Sequence, residues 1–564
     1  MKKKTLAIAL AAVLTTGALV PVSAAEGSRN TGTSMEQREG KAGSQKAHPV
    51  FAWDKPGPLS PVLHNGSVRG AGMVKQPLDE IDGHMNEMIS EGVMPGAVAF
   101  VARRGHIVKH DAYGFAYKYK DDQFTKSENP IPMREDTIFD LASISKIFTT
   151  TAAMILYEQG RFGLDEPVAK YIPKFAANGK ENVTIRQLMT HTSGFAAWIP
   201  LYTQGTNRDD RMNFVLNHPL SNKPGTAYTY SDLNMITLGF LIERLSGQRQ
   251  DEFVKKYLTD PLNMKDTMYN PPASLKSRIA ATEFQPAIGR GLVWGEVHDE
   301  NAWALGGVAG HAGVFSTAGD LAKLAHMYLN DGRYGSKQIL KPDTVKMLIE
   351  NQIPEFPGND HGLGWELAQG WFMDALSEGS TLGHTGYTGT SIVVNRNNGT
   401  IAILLTNRVH PTRNTVTTNL ARRQLARQVA DAIPVNIPDG KAWFSGYGDR
   451  LQRSLVAEVE LDKSADLTFE TWYRIEADAD YGYLELSSDG LNWERAKTFT
   501  GSSVDWLSGN VEIPEATKFI RFTYTTDSSV NGRGWYVDNV KLSSLDGEPV
   551  ELNFSGDGWK QRGY

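Results

Sequence analysis

Cysteine is absent from all 564 residues. That excludes disulfides, a thiol nucleophile, a lipid anchor on cysteine and any thiolate metal site. A basic excess is also absent. The net charge is -6, so nothing is available to neutralise a run of phosphates, and nucleic acid is not expected as a partner. No segment reaches the ~20 apolar residues that a membrane span needs. The apolar run Leu6–Val20 follows Lys2, Lys3 and Lys4 and precedes Ser23, Ala24 and Ala25. That order is the mark of a secretory signal peptide. Residues 1–25 are therefore expected to direct export, leaving no spanning segment after cleavage. A cysteine-free exported chain of this kind suits a bacterial protein that is secreted or held at the wall. Large apolar residues are scarce from Glu26 to about His48, and Pro56, Pro58 and Pro61 follow, so 26–75 reads as a disordered stretch or linker.

At about 100–200 residues per domain the remainder should hold more than one. Leu78, Ile81, Met85, Met88 and Ile89 have helical spacing. The run AVAFVARRGHIVKHDAYG reads as two strands turning at Arg104-Gly105. Helical patterns dominate between about 136 and 260. GHTGYTGTSIVVNRNNGTIAILLTN then gives two more strands turning near Asn397–Gly399, and a helix spans about 416–432. Strands at both ends with helices between predict one α/β domain over 76–433, its terminal segments meeting in one sheet. Pro434, Pro438 and Gly440 mark a linker at 434–440. In 441–564 the period changes to two: Leu467, Phe469, Thr471, Tyr473 and Ile475 alternate with polar residues, and Asp489-Gly490 is a turn signal. This predicts an all-β sandwich or jelly roll.

The chemistry concentrates in DLASISKIFTT. Ser143 and Lys146 are three apart, so at the start of a helix they share a face. An amine beside the hydroxyl can take its proton during attack, provided burial and neighbouring cations lower the lysine's pKa. The same helix start offers the Ser143 N–H to an oxyanion. Two further elements follow in order. Tyr230-Ser231-Asp232 supplies a phenol that can carry a proton to a leaving group if Lys146 depresses its pKa. His384-Thr385-Gly386 opens a strand that can pair with substrate backbone, and the N–H of Tyr387 would be the second oxyanion donor.

Ser143-x-x-Lys146, Tyr230-x-Asp232 and His384-Thr385-Gly386 together resemble the three motifs of the serine β-lactamase and penicillin-binding superfamily, in its class C-like branch. PGAVAFVARRG and TIRQLMTHTSGF are similar to flanking segments of that branch. The resemblance implies an antiparallel sheet flanked by helices, an all-helical subdomain, and an acyl-enzyme on Ser143 formed without a cofactor. Asp232 stands where lactamases of this branch carry Asn, and His384 where they carry Lys. Both departures are similar to D,D-peptidases, esterases and amidases of the superfamily, and they argue against an efficient β-lactamase.

GEVHDENAWALGGVAGHAGVFSTAG, residues 295–319, resembles the subgroup that includes the exported N-acetylmuramoyl-L-alanine amidase of muropeptide recycling. The resemblance implies a muropeptide or peptidoglycan fragment as substrate, with His298, Asp299, Thr385 and Gly386 at the substrate and Glu300 and His311 shaping the pocket. D,D-peptidase, esterase and weak β-lactamase activities remain alternatives, as does a penicillin sensor that acylates without turnover. Zinc on His298, Asp299, Glu300 and His311 is a further reading, disfavoured because three of the four are consecutive. His191 reads as a structural turn residue. The C-terminal region resembles the jelly-roll modules of immune-inhibitor-type secreted metalloproteases. That implies calcium at Asp478, Asp480 and Asp538, or glycan and wall binding with Trp472, Trp493 and Trp535 as stacking faces, against turn acids and core as the simpler alternative.

Overall fold

The structure is a computed structural model that describes residues 58–564. The expected signal segment and the linker up to residue 57 lie outside the described residues.

The α/β domain is built on an eight-stranded sheet. Its strands are β1 (Gly96–Arg103), β2 (His106–Tyr119), β3 (Glu366–Leu367), β4 (Thr381–Thr385), β5 (Ser391–Asn395) and β6 (Thr400–Thr406), with two further short strands. The order β2-β1-β6-β5-β4-β3 places the first hairpin beside the last strand. Ile403 of β6 pairs antiparallel with Phe100 of β1. Every residue of β1 is buried, because both sheet faces are covered. Val98, Phe100 and Ala102 face one core with Ile401, Ile403 and Leu405. Ala97, Ala99 and Val101 face the other with Ala402 and Leu404. The second core is closed by α1 (Lys75–Ser90), through Leu78, Ile81, Met85 and Met88, and by α6 (Asn419–Asp431), through Leu425 and Val429. On the first face lie α2 (Ser145–Glu158), α3 (Asp232–Ser246), the short α4 (Glu300–Ala304) and α5 (Ala318–Leu329). Helices α2 and α3 are buried along nearly their whole length and carry the first two motifs.

The C-terminal unit holds two antiparallel sheets. Its strands are β7 (Ala442–Phe444), β8 (Gln452–Glu458), β9 (Ala465–Arg474), β10 (Tyr481–Ser487), β11 (Glu494–Phe499), β12 (Leu507–Ile513), β13 (Phe519–Thr525), β14 (Gly534–Ser544), β15 (Ser555–Gly556) and β16 (Lys560–Arg562). One sheet runs β12-β9-β14-β7-β16 and the other β11-β10-β13-β8-β15. Leu467, Phe469, Phe522 and Trp535 fill the space between them.

Two expected linkers behave differently from their composition. Residues 58–75 are not a tether: His64 and Asn65 pair in parallel with His106 and Ile107, and Ala71 and Met73 are buried. The segment 434–440 is likewise anchored. Val435 is buried and its carbonyl accepts from Trp506 Nε1 at 3.1 Å. Phe444, Trp472 and Tyr536 of the β unit join the same apolar cluster as α1 and α6. Around them Asp431 accepts from Arg562 Nη1 at 3.0 Å and pairs with Arg533, while Arg427 donates to Asp374 at 2.7 Å.

Candidate active site

The site starts at a sharp turn. Ala142 has φ +47°, a left-handed conformation uncommon for a residue with a side chain. The turn is held by Asp140, whose Oδ1 accepts from the Ala142 N–H at 2.9 Å. It delivers partly exposed Ser143 at the entry to α2, where Lys146 is fully buried.

Lys146 Nζ donates to Ser143 Oγ at 2.8 Å and to the His311 carbonyl at 3.3 Å, and it lies 2.9 Å from Asp232 Oδ1. It also sits 4.8 Å from the Tyr230 ring centroid. The three motifs thus converge as expected, but the charge state differs from the expectation. Burial alone pulls the lysine's pKa down, yet Asp232 and Tyr230 outweigh it and hold the ammonium above its ordinary range. Tyr230 is pushed up to about 12 by burial, with Lys146 opposing. The expected depression fails for Lys146 because its buried neighbour is a carboxylate rather than a second cation, and for Tyr230 because burial outweighs the Lys146 charge.

His384 is buried, its Nδ1 donates to the Thr385 carbonyl at 2.8 Å, and burial followed by the Lys146 charge lowers it to about 3. It is neutral at neutral pH and carries no positive charge into the site. Beyond it, Gly386 is obligatory. A Cβ there would lie 2.3 Å from the Leu141 carbonyl and 2.1 Å from Thr390 Oγ1. The β4–β5 turn is therefore pressed against the nucleophile turn, and Thr388 and Thr390 fasten it by donating to the carbonyls of Asp140 and Leu141. Tyr387 sits on this turn, between Gly386 against the Leu141 carbonyl and Thr388 on the Asp140 carbonyl. Thr385 and Tyr387 are partly exposed at this edge.

The VHDEN segment divides its labour. The His298 N–H donates to Asp140 Oδ2 at 2.6 Å, its ring donates to Glu283 at 2.8 Å, and it stacks on Tyr387 at 5.8 Å. His298 is buried, so it supports Tyr387 and the nucleophile turn and offers no open face to substrate. Glu300 pairs with Arg413, which also holds Glu283. Asp299 caps α4 by accepting from the Ala302 N–H at 2.7 Å and accepts from His311 Nε2 at 2.8 Å. Burial pushes Asp299 up, but His311 holds its carboxyl well below the usual range. His298, Asp299, Glu300 and His311 do not converge. A different trio does: donor atoms of Asp232, Asp299 and His311 lie within 4.8 Å of one another, with the Lys146 ammonium already against Asp232. His191 is structural as read. Its Nδ1 accepts from the Ser231 N–H at 3.1 Å, and its ring lies 4.7 Å from that of Tyr230.

Sequence reasoning missed two carboxyls. Asp140 binds both the nucleophile turn and the His298 loop, and Asp140 before the first motif was its only trace. Glu366 on β3 pairs with Gly383 of β4. Burial raises it to about 7 against the opposing charges of Lys146 and Arg422, and its Oε2 is buried without a hydrogen-bond partner among the described residues. No motif marks it.

In the β unit the expected calcium set is corrected. Asp538 pairs across from Glu470 within the β9–β14 sheet, whereas Asp480 precedes β10 of the other sheet, and Asp478 is exposed. Strand order separates them. Glu476, Asp480 and Asp527 come together instead, with ligand atoms within 4.8 Å. Asp480 is fully buried, and Asp480 Oδ2 and Glu476 Oε2 have no hydrogen-bond partner among the described residues. Burial and the neighbouring acids raise Glu476 to about 8 and Asp480 to about 7. Trp472 and Trp535 are core, and Trp493 has the Arg521 guanidinium 3.8 Å from its ring centroid.

The model of the Beta-lactamase family matches residues 78–427. A curated protein of Escherichia coli K12 named "Putative D-alanyl-D-alanine carboxypeptidase" is 33% identical over 383 residues, covering 62% of this chain and 86% of that protein. Its namesake from Salmonella paratyphi B is 33% identical with 62% and 87% covered. Among solved structures, "EstCE1, a hydrolase with promiscuous acyltransferase activity" superposes with a TM-score of 0.51 at 21% identity, covering 63% of this chain and 99% of that one. A "class C beta-lactamase" gives 0.52 at 18%, covering 64% and 98%. At these identities the two structures speak for the fold alone.

Proposed function

This chain belongs to the beta-lactamase family, a family of serine hydrolases, and on that footing we propose that it is an exported amidase that cleaves N-acetylmuramic acid from L-alanine in muropeptides. The observation that carries the amide reading is the neutral, buried His384 at the head of the third motif. The carboxylate of a β-lactam is best met by a cation on that strand, so the neutral His384 speaks against a lactamase, while the likeness of this departure to D,D-peptidases keeps that activity as the second reading. An internal amide with no adjacent carboxylate needs no such cation. Trp303, 39% exposed on the helix that Asp299 caps, has the Arg290 guanidinium 4.7 Å from its ring centroid and offers a stacking face to a sugar.

In this reading Ser143 attacks the lactyl carbonyl while the Ser143 and Tyr387 N–H groups hold the oxyanion. Lys146, kept as an ammonium by Asp232, is the resident cation. Tyr230 exchanges the proton: as the phenolate it accepts from the Ser143 hydroxyl on attack, and as the phenol so formed it donates to the departing amine of L-alanine. Water then releases the acyl group with the roles reversed. In the β unit, Glu476, Asp480 and Asp527 supply hard oxygen donors suited to calcium, and wall glycan is the proposed partner of that unit.

D,D-carboxypeptidase activity is the second reading, favoured by the name that the 33%-identical relatives carry. The deciding experiment incubates purified protein with N-acetylmuramoyl-L-alanyl-D-isoglutamine and follows products by mass spectrometry. Free N-acetylmuramic acid, absent with Ser143→Ala, is the expected result. No release, together with D-alanine freed from a D-Ala-D-Ala peptide, would replace the substrate and keep the nucleophile.

A further inference from the structure

The Gly310–His311 segment is a wedge between the two helices that carry the reacting groups. On the α2 side, Thr149 Oγ1 donates to the Gly310 carbonyl at 2.7 Å and Lys146 Nζ to the His311 carbonyl at 3.3 Å. On the α3 side the approach is so close that a Cβ on Gly310 would stand 1.8 Å from the Met235 carbonyl. Three residues on, the Val314 N–H donates to Ser145 Oγ at 3.0 Å. The His311 ring is 1% exposed, and its hydrogen bond is to Asp299, at 2.8 Å. Asp299, His311 and Asp232 place donor atoms within 4.8 Å of one another, and Asp232 meets Lys146 at 2.9 Å.

We propose that Asp299 and His311 form a positioning pair for the nucleophile. Asp299 holds the His311 ring, and His311 fixes the point between α2 and α3 where Lys146 meets Asp232. That point sets the Lys146 hydrogen bond to Ser143 Oγ. Neither residue touches the reacting carbonyl, and the role holds for any acyl substrate, so it does not depend on the muropeptide reading.

The simpler role for Asp299 is the cap of α4. Asn caps a helix as well as Asp does. Asp299→Asn therefore keeps the cap while removing the charge that holds His311, and Asp299→Ala removes both. The readout is labelling of Ser143 by a fluorophosphonate, in which Oγ bonds to phosphorus, fluoride departs and the hydroxyl proton passes to the site's base. The maximal labelling rate of Asp299→Asn should fall about tenfold or more, with the probe's half-saturating concentration and the Tm unchanged. Asp299→Ala should label as slowly and melt lower. A wild-type rate in Asp299→Asn, or a rate that follows Tm across the pair, overturns the proposal. Labelling of the wild type that EDTA abolishes also overturns it, because the three side chains would then be metal ligands. Absence of labelling in the wild type would remove the Ser143 nucleophile itself, a failure visible before any variant is compared.

Discussion

Lys146 Nζ stands 2.9 Å from Asp232 and 2.8 Å from Ser143 Oγ, so Ser143 shares the ammonium with a buried acid. The carboxylate keeps the lysine protonated, and in the proposed mechanism the proton needed for attack is exchanged at Tyr230, whose pKa burial raises to about 12. The base form is then scarce at neutral pH and grows about tenfold per unit. kcat/KM should rise with pH from about 6 to 9. Asp232→Asn should move that rise to lower pH, because the group that holds the ammonium is gone. A profile already flat at pH 7 would show that the Lys146–Tyr230 pair releases its proton far more easily than this geometry implies.

That Ser143, Lys146 and Tyr230 come together was legible in the sequence because it depends on local spacing: three residues at the start of a helix, and a phenol two before the acid that opens another. Asp140 was not. Its function consists of binding N–H groups of Ala142 and of His298, 158 residues away, and only the fold brings those together. The same holds for the junction at 434–440. Pro and Gly are visible in the string, but the burial of Val435 is a property of the surface it meets. The alternation in 465–475 located β9 and the face that Leu467 and Phe469 turn between the sheets, whereas Trp472 lies on the other face and is buried with Tyr536 against the α/β domain. Asp538 and Asp480 share a composition but not a sheet, and no local pattern reports that.

Glu366 tests the cost of a buried acid at the site. Its folded pKa of about 7 lies above the ordinary carboxyl value. The folded state therefore keeps a proton that the unfolded chain releases near pH 4.5, and stability falls as pH rises between those values. Glu366→Gln removes the penalty. It should be roughly 1–3 kcal/mol more stable than the wild type at pH 8 and indistinguishable at pH 4. Chemical denaturation at the two pH values checks this, and equal stability at pH 8 would mean that Glu366 ionises in the fold without penalty.

Asp431 holds the two units together. It is buried beneath Arg533 and Arg562, next to Tyr447, whose hydroxyl donates to it at 3.1 Å. Asp431→Ala leaves two guanidinium groups without their carboxylate, one of them fully buried. Such losses run to about 3–5 kcal/mol. The variant should split a single melting transition into two, with the hydrolase domain retaining Ser143 labelling after the β unit has melted. One transition at the wild-type Tm would show that the apolar contacts of Trp472 and Tyr536 suffice.

The cluster of Glu476, Asp480 and Asp527 gives the last expectation. Two of these carboxyls are forced towards protonation, to about 8 and about 7, by burial and by the charge of Asp527. A divalent cation would relieve both effects, since it supplies the charge and occupies the oxygens that have no partner. Binding to the folded state alone raises its stability with the logarithm of ligand concentration. Millimolar calcium should therefore raise the Tm of the β unit at pH 8. The effect should shrink towards pH 5, where protons hold the same oxygens. It should vanish in Asp480→Asn and persist in Asp538→Asn, since Asp538 lies in the other sheet. Calorimetry with and without calcium distinguishes these outcomes. A Tm that ignores calcium at pH 8 would mean that the acids are held protonated, and Asp480→Asn should then be at least as stable as the wild type at that pH.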